Sequence, residues 1–106
     1  MAQHQFRKLV VWQQAMIFTT KIYELTSKFP RTELFGLTDQ IRRAVVSISL
    51  NIAEGSGSST NIEFCRFLYI AKRSGYEVMT GLEIAKNLHY IDSTQFDQHI
   101  IQAEEI

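Results

Sequence analysis

The apolar residues of this chain recur every three or four positions over long stretches, which is the spacing of one face of an α-helix. From Val11 to Phe29 they fall at positions 11, 15, 18, 22, 25 and 29. Pro30 follows directly, and proline disfavours the helical conformation of the residue before it. The pattern predicts a first helix over about residues 9–29.

A second helical pattern begins after a short turn. Thr38 offers a hydroxyl suited to an N-cap, and Asp39 places a carboxylate near the positive end of the helix dipole. The apolar stripe that follows consists of Ile41, Val45, Ile48 and Ile52. A helix over about residues 38–54 is predicted.

Two further helices are marked by capping sequences. Thr60-Asn-Ile-Glu63 is a capping box, which predicts a helix over about 60–90, and Asp92-Ser-Thr predicts another over about 93–105. Gly75 lies on the apolar seam of the third helix, where we expect close packing, whereas the pattern offers no reason for Gly81. Helices joined by short turns pack antiparallel, so the sequence predicts an all-α, up-down-up-down four-helix bundle forming one domain over 1–106.

Composition supports a single folded domain and excludes several classes of protein. The 106 residues are 45% hydrophobic and 21% charged, which is ordinary for a globular chain. Eleven basic residues balance eleven acidic ones, with about +3 in residues 1–60 and −3 in 61–106, so no overall cationic field favours nucleic acid. Cys65 is alone, and neither a signal peptide nor a membrane-spanning run is present. We expect a cytoplasmic protein without a membrane partner.

A polar stripe accompanies the apolar stripe of the second helix, and its members share one helical face. They are Gln40, Arg43, Ser47, Asn51 and Glu54. Solvent exposure is one explanation, but serine and asparagine are poor residues for a helix interior because their side chains compete for backbone hydrogen bonds. We expect Asn51 and Glu54 to fasten the turn after residue 55, and Arg43 to meet Glu77 on the third helix.

The turn at residues 55–60, Gly-Ser-Gly-Ser-Ser-Thr, has two interpretations. Free backbone amides before a helix could bind a nucleotide or another anion. A phosphate-binding loop of the nucleotide-hydrolase type, however, needs a lysine before its Ser or Thr, and no lysine occurs between residues 44 and 71. The favoured interpretation is a helix C-cap in which Gly55 adopts the left-handed conformation.

No other residue type in the chain forms a pattern of catalytic or metal-binding chemistry. His4, His89 and His99 share no ligand spacing, and Glu83 with His89 is not the Glu-x-x-His pair of a di-iron bundle. Ser47 and Ser74 have no histidine nearby in sequence. We assign no catalytic or metal-ligating residue and expect no cofactor.

Several motifs together resemble a known family. They are Val11-Trp-Gln-Gln-Ala15, Phe29-Pro30 with Glu33, Leu37-Thr-Asp-Gln-Ile-Arg-Arg-Ala-Val-Val-Ser47, Asn51-Ile-Ala-Glu-Gly55, and Ala71 with Ser74 and Glu77. In this order they resemble the four-helix bundle proteins of intervening sequences in bacterial 23S rRNA genes. The chain departs from that family's pattern at Ser58, where arginine is common, and at Arg73, where glycine is common.

The resemblance implies a non-enzymatic bundle that assembles into a homo-oligomeric ring, expected to be a pentamer. A related branch serves as the accessory protein of diversity-generating retroelements and binds a reverse transcriptase and nucleic acid. The balanced charge of this chain argues against that second role, because phosphate binding draws on counterions released by Lys and Arg. The candidates for contact with RNA or DNA are Lys21, Lys28, Arg31, Arg42 and Arg43.

Overall fold

The computed structural model describes residues 5–106, and this range is all-α, as predicted. Four α-helices follow one another along the chain: α1 (Val10–Thr26), α2 (Leu37–Ser56), α3 (Asn61–Asn87) and α4 (Ser93–Glu104). Two short 3₁₀ turns, Gln5–Lys8 and Arg31–Glu33, precede α1 and α2. Residues 5–106 contain no strand, and none of their helices has the length and hydropathy of a membrane-spanning segment.

The helix ends differ from the predicted ones where backbone hydrogen bonds tighten into turns. α1 stops at Thr26, and the amides of Lys28 and Phe29 donate to carbonyls only three residues back. Phe29 therefore enters the core from a turn that precedes Pro30. α3 stops at Asn87, because His89 takes a left-handed φ of 64° and the Tyr90 amide donates to the Ala85 carbonyl, which closes the helix as a Schellman motif.

The start of α2 is capped by Glu33 of the preceding turn and not by Thr38. Glu33 Oε1 accepts a hydrogen bond from the Leu37 amide at 3.1 Å, and Thr38 lies buried inside the helix. The prediction of Thr38 as N-cap is therefore wrong, whereas Asp39 does lie in the first turn. The cap residues of the last two helices are confirmed: Thr60 accepts from the Glu63 amide, and Asp92 forms a full capping box with Gln95. The capping box predicted at Thr60 is only half formed, because the Glu63 carboxylate does not accept a hydrogen bond from the Thr60 amide.

Contacts between named pairs show that neighbouring helices run antiparallel. On α1 and α2 the Thr19 hydroxyl lies 3.4 Å from the Val45 carbonyl, and Arg42 Nε donates to Thr26 Oγ1 at 2.9 Å. The order of partners is thus reversed between the two helices. On α2 and α3, Ile41 faces Gly81, Ser47 faces Ser74, and Gly55 faces Phe67, which again reverses the order.

The core lies between α1, α2 and α3, and α4 contributes only to its edge. The largest side chains that are fully buried come from those three helices: Phe18, Ile22, Ile41, Val45, Ile52, Val78 and Leu82. None of the residues of α4 is fully buried, although Phe96, Ile100 and Ala103 pack against the core. α4 has 12 residues and is about 18 Å long, whereas α3 has 27 residues and is about 40 Å long. Part of the α2–α3 surface therefore has no fourth helix over it.

Candidate functional site

A group of three polar side chains joins α2 to α3 in the middle of their contact. The Ser74 hydroxyl donates to Ser47 Oγ at 2.9 Å. Asn51 Nδ2 donates to the same oxygen at 3.0 Å and to the Ser47 carbonyl at 2.8 Å. Ser74 is buried, and the other two are half-buried. Because a buried hydroxyl without a partner is costly, these bonds favour one register of α2 against α3.

The remaining members of the polar stripe face solvent. Arg43 forms an ion pair with Asp39 on its own helix, with Nε and Oδ2 3.1 Å apart, so the expected contact with exposed Glu77 is not formed. Contrary to the prediction, the Asn51 side chain makes no hydrogen bond to the turn after residue 55. It donates to Ser47 instead. The side chain of Glu54 is exposed, as is that of Gln40.

Gly55 has a different role from the predicted one. It lies inside α2, which ends at Ser56, and no glycine among residues 5–106 has a positive φ. A Cβ at Gly55 would lie 2.6 Å from Phe67 Cβ and 2.8 Å from Phe64 Cδ1. The left-handed C-cap is therefore wrong, and the absence of a side chain instead lets α3 approach α2.

In the turn at residues 55–60, backbone amides that could bind an anion already donate hydrogen bonds to nearby carbonyl groups. The Gly57 amide donates to the Glu54 carbonyl, and the Ser58 amide donates to the Gly55 carbonyl. Thr60 Oγ1 accepts a hydrogen bond from the Glu63 amide. Ser58 Oγ is buried and has no hydrogen-bond partner among the described residues. Ligand binding at this turn stays a prediction, and the hydrogen bonds of its amides argue against it.

The five basic residues named as nucleic-acid candidates do not form one free cationic surface. Arg42 is held against α1: its Nε donates to Thr26 Oγ1, and its guanidinium carbon lies 4.6 Å from the centroid of the Tyr23 ring. Arg43 is paired with Asp39. Lys21, Lys28 and Arg31 are exposed. Binding of RNA or DNA by this set stays a prediction.

A polar contact that the sequence did not reveal ties the two connections at one end of the molecule. Tyr90 donates its hydroxyl hydrogen to Glu33 Oε2 at 2.8 Å, and the Tyr90 ring lies 5.5 Å from that of Phe29. The hydrogen bond from the Leu37 amide, and after it the one from Tyr90, hold the pKa of the Glu33 carboxyl below its ordinary value. The same contact raises the pKa of the Tyr90 phenol. Glu33 and Tyr90 are 57 residues apart, so no local pattern could have paired them.

The described residues contain little that resembles reaction chemistry. Within 5–106 no group of three His, Cys, Asp or Glu side chains is placed to hold a metal ion. Cys65 is exposed, and His99 Nδ1 lies 2.7 Å from the Gln95 carbonyl oxygen, to which it donates. His4 lies outside the described residues.

Known proteins resemble this chain in sequence and in fold. The sequence profile of the family described as 23S rRNA-intervening sequence protein matches residues 7–106. The chain belongs to this family. A solved structure, a protein with unknown function from the S23 ribosomal protein family of Bacteroides thetaiotaomicron, is 25% identical in sequence. Its TM-score is 0.80, over 91% of this chain and 90% of that one. No curated protein gives a significant match.

Membership of the 23S rRNA-intervening sequence protein family confirms the resemblance drawn from the motifs. The motif residues that the structure brings together are those of the α2–α3 contact: Ser47, Asn51, Gly55 and Ser74. Gln40, Arg43, Glu54 and Glu77 lie on the solvent side instead. The first set of motif residues therefore takes part in helix packing, and the second set lies on the surface.

Proposed function

We propose that the chain is a non-enzymatic scaffold whose function depends on binding other copies of itself. The observation that carries the proposal is an apolar groove of about 700 Å³ beside α4. Its lining includes Val11, Ile48, Ile52, Leu68, Met79 and Ile106. A groove of this size and composition is large enough to accept several apolar side chains.

A prominent apolar residue lies at the opposite end of α2. Phe35, in the connection before α2, is 92% exposed, and Leu34 beside it is also exposed. The groove is lined by Ile48 and Ile52, which lie 11 and 15 residues after Leu37, the first residue of α2. These separations correspond to roughly 16–22 Å along the helix. An exposed phenyl ring at one end and an apolar groove at the other suit a head-to-tail contact between copies.

Head-to-tail contacts are heterologous, and they close into a ring when the rotation between copies permits it. The homopentameric ring that the family resemblance implies has this symmetry. The positive first half and the negative second half of the chain add charge complementarity to such a contact. The competing function, a nucleotide- or anion-binding protein that uses residues 55–60, has weaker support because the amides of Gly57 and Ser58 are bonded within the turn.

Light scattering coupled to size-exclusion chromatography tests the proposal. We expect the wild type at micromolar concentration to have the mass of several copies, and Phe35→Asp to reduce it. Ile62→Asp is the matched control, because Ile62 is also highly exposed but lies at neither the groove nor the connection before α2. A wild-type monomer at this concentration would refute self-association, and an equal loss of mass in both variants would refute the role of Phe35.

A further inference from the structure

Two exposed arginines flank an exposed tyrosine on the outer side of α3. Arg66, Tyr69 and Arg73 are three and four residues apart, which places them on one side of the helix, and Tyr69 is 61% exposed. None of them lines the groove beside α4. Among the described residues neither arginine forms an ion pair, although Glu63 and Glu77 each lie one turn away from one of them. We call Arg66, Tyr69 and Arg73 the basic face.

The outer side of α4 has the opposite charge. Asp97 and Ile101 lie within this helix and Glu105 is its C-cap, so the three follow one another at intervals of four residues. All three are exposed, Ile101 by 56%, because a different set of α4 side chains packs against the core. Neither carboxylate forms an ion pair among the described residues, and residues 87–106 contain no Lys or Arg. We call Asp97, Ile101 and Glu105 the acidic face.

The stability of α4 itself does not account for the acidic face. The C-terminal end of a helix is the negative end of its dipole, where a cation is favourable and a carboxylate is not. The last turn of α4 nevertheless contains no basic residue, and Glu105 occupies its C-cap. A partner that brings cations to this end of α4 would offset the unfavourable interaction.

The two faces match each other in charge and in spacing. The arginines of the basic face are seven residues apart, which corresponds to about 10 Å along α3. The carboxylates of the acidic face are eight residues apart, which corresponds to about 12 Å along α4. Between its two charges each face has one large side chain with apolar surface, Tyr69 in the first and Ile101 in the second. When the two helices lie side by side, each carboxylate reaches one guanidinium while Ile101 packs on the Tyr69 ring.

We propose that the basic face of one copy binds the acidic face of the next. A second copy is the partner because the same chain supplies both complementary faces. They lie on different helices, which makes the contact heterologous, as head-to-tail assembly requires. This contact rests on the self-association proposed above and adds a second pair of surfaces to it, apart from Phe35 and the groove. Since Arg73 occupies a position where the family commonly has glycine, the family resemblance does not imply this pairing.

Light scattering over a concentration series of the whole protein tests this contact by charge reversal. Arg66→Glu with Arg73→Glu places carboxylates opposite carboxylates, so it should weaken association by at least about 100-fold. Asp97→Lys with Glu105→Lys should have the same effect, because it places cations opposite cations. All four substitutions in one chain exchange the charges of the two faces, so this variant should regain the association of wild type.

The matched control is Lys21→Glu with Lys28→Glu, which makes the same change of charge at exposed residues outside both faces. This variant should associate as wild type does. Circular dichroism on every variant reports folding, and reversal of the acidic face provides a second test should the variant of the basic face fail to fold.

The proposal is overturned if either reversal leaves association unchanged, if the variant with all four substitutions stays dissociated, or if the lysine control loses association equally. Loss of particle mass in Phe35→Asp, together with no loss in either reversal, would refute this contact and leave the self-association standing. A monomeric wild type would refute both.

Discussion

Gly75 and Gly81 lie on the same helix, yet replacing each with alanine should change stability in opposite directions. A Cβ at Gly81 would lie 2.5 Å from Ile41 Cγ1 and 3.0 Å from Ile41 Cδ1. A Cβ at Gly75 would meet no atom within 4 Å, because Gly75 lines the open groove beside α4. The prediction is that Gly75→Ala stabilises the protein and Gly81→Ala destabilises it.

The magnitudes follow from two competing effects. In a helix interior, alanine is favoured over glycine by about 1 kcal/mol, and at Gly75 this gain acts alone. At Gly81 the same gain is opposed by overpacking, which costs about 1–3 kcal/mol. The closest atom is Ile41 Cγ1, which lies in the middle of the side chain and not at its flexible end, so the whole side chain would have to shift. The free energies of unfolding of the two variants should therefore differ by about 1–3 kcal/mol.

Urea denaturation followed by far-UV circular dichroism measures this difference. Both variants are compared at the same low protein concentration, since self-association would add a concentration-dependent contribution, and their m-values should be equal. In an Ile41→Ala background the contacting atoms are absent, so Gly81→Ala should become neutral or stabilising. Equal stabilisation by Gly75→Ala and Gly81→Ala would refute the close approach of α2 and α3 at Gly81.

Three further predictions concern contacts at the helix ends and between helices. The hydrogen bonds to Glu33 lower the pKa of its carboxyl group in the folded state. They therefore stabilise the protein at pH values above the ordinary carboxyl pKa, and this stabilisation is lost as the pH falls. In thermal melts, the melting temperatures of wild type and Glu33→Gln should converge in acid. His89→Gly should raise the free energy of unfolding by about 1 kcal/mol in urea titrations, because a φ of 64° is costly for a residue with a Cβ; a loss of stability would contradict this. Ser74→Ala should lower it by about 1 kcal/mol through loss of the bond to α2. For Glu54→Ala, at an exposed site, the free energy of unfolding should stay within about 0.5 kcal/mol of wild type. Equal effects of Ser74→Ala and Glu54→Ala would contradict a stabilising role for the hydrogen bond between Ser74 and Ser47.

Much of the fold could be derived from the sequence because helix formation is largely local. The spacing of apolar residues and the position of Pro30 depend on neighbours within a few turns, and so do the caps at Thr60 and Asp92. The family motifs could be recognised in the same way, as short strings in a fixed order. Those local features are sufficient to indicate the fold class and the family.

The candidate site could be predicted only in part, because its contacts join residues far apart in the chain. The sequence indicated that Ser47 and Asn51 are unusual in a helix, but not that Ser74, 27 residues from Ser47, completes their hydrogen bonds. It likewise gave no means to choose between Thr38 and Glu33 as the cap of α2, since Glu33 acts from the preceding turn and is itself held by Tyr90.

The glycines show most directly where local information ends. From spacing alone, Gly75 was expected to pack closely, Gly81 had no role, and Gly55 was assigned to a left-handed cap. In the folded chain Gly75 faces a groove, Gly81 adjoins Ile41, and Gly55 adjoins Phe64 and Phe67. Periodicity shows which residues share a helical face, whereas the rotation and distance of the neighbouring helix decide what each face meets, and those are set by the packing of all the helices together.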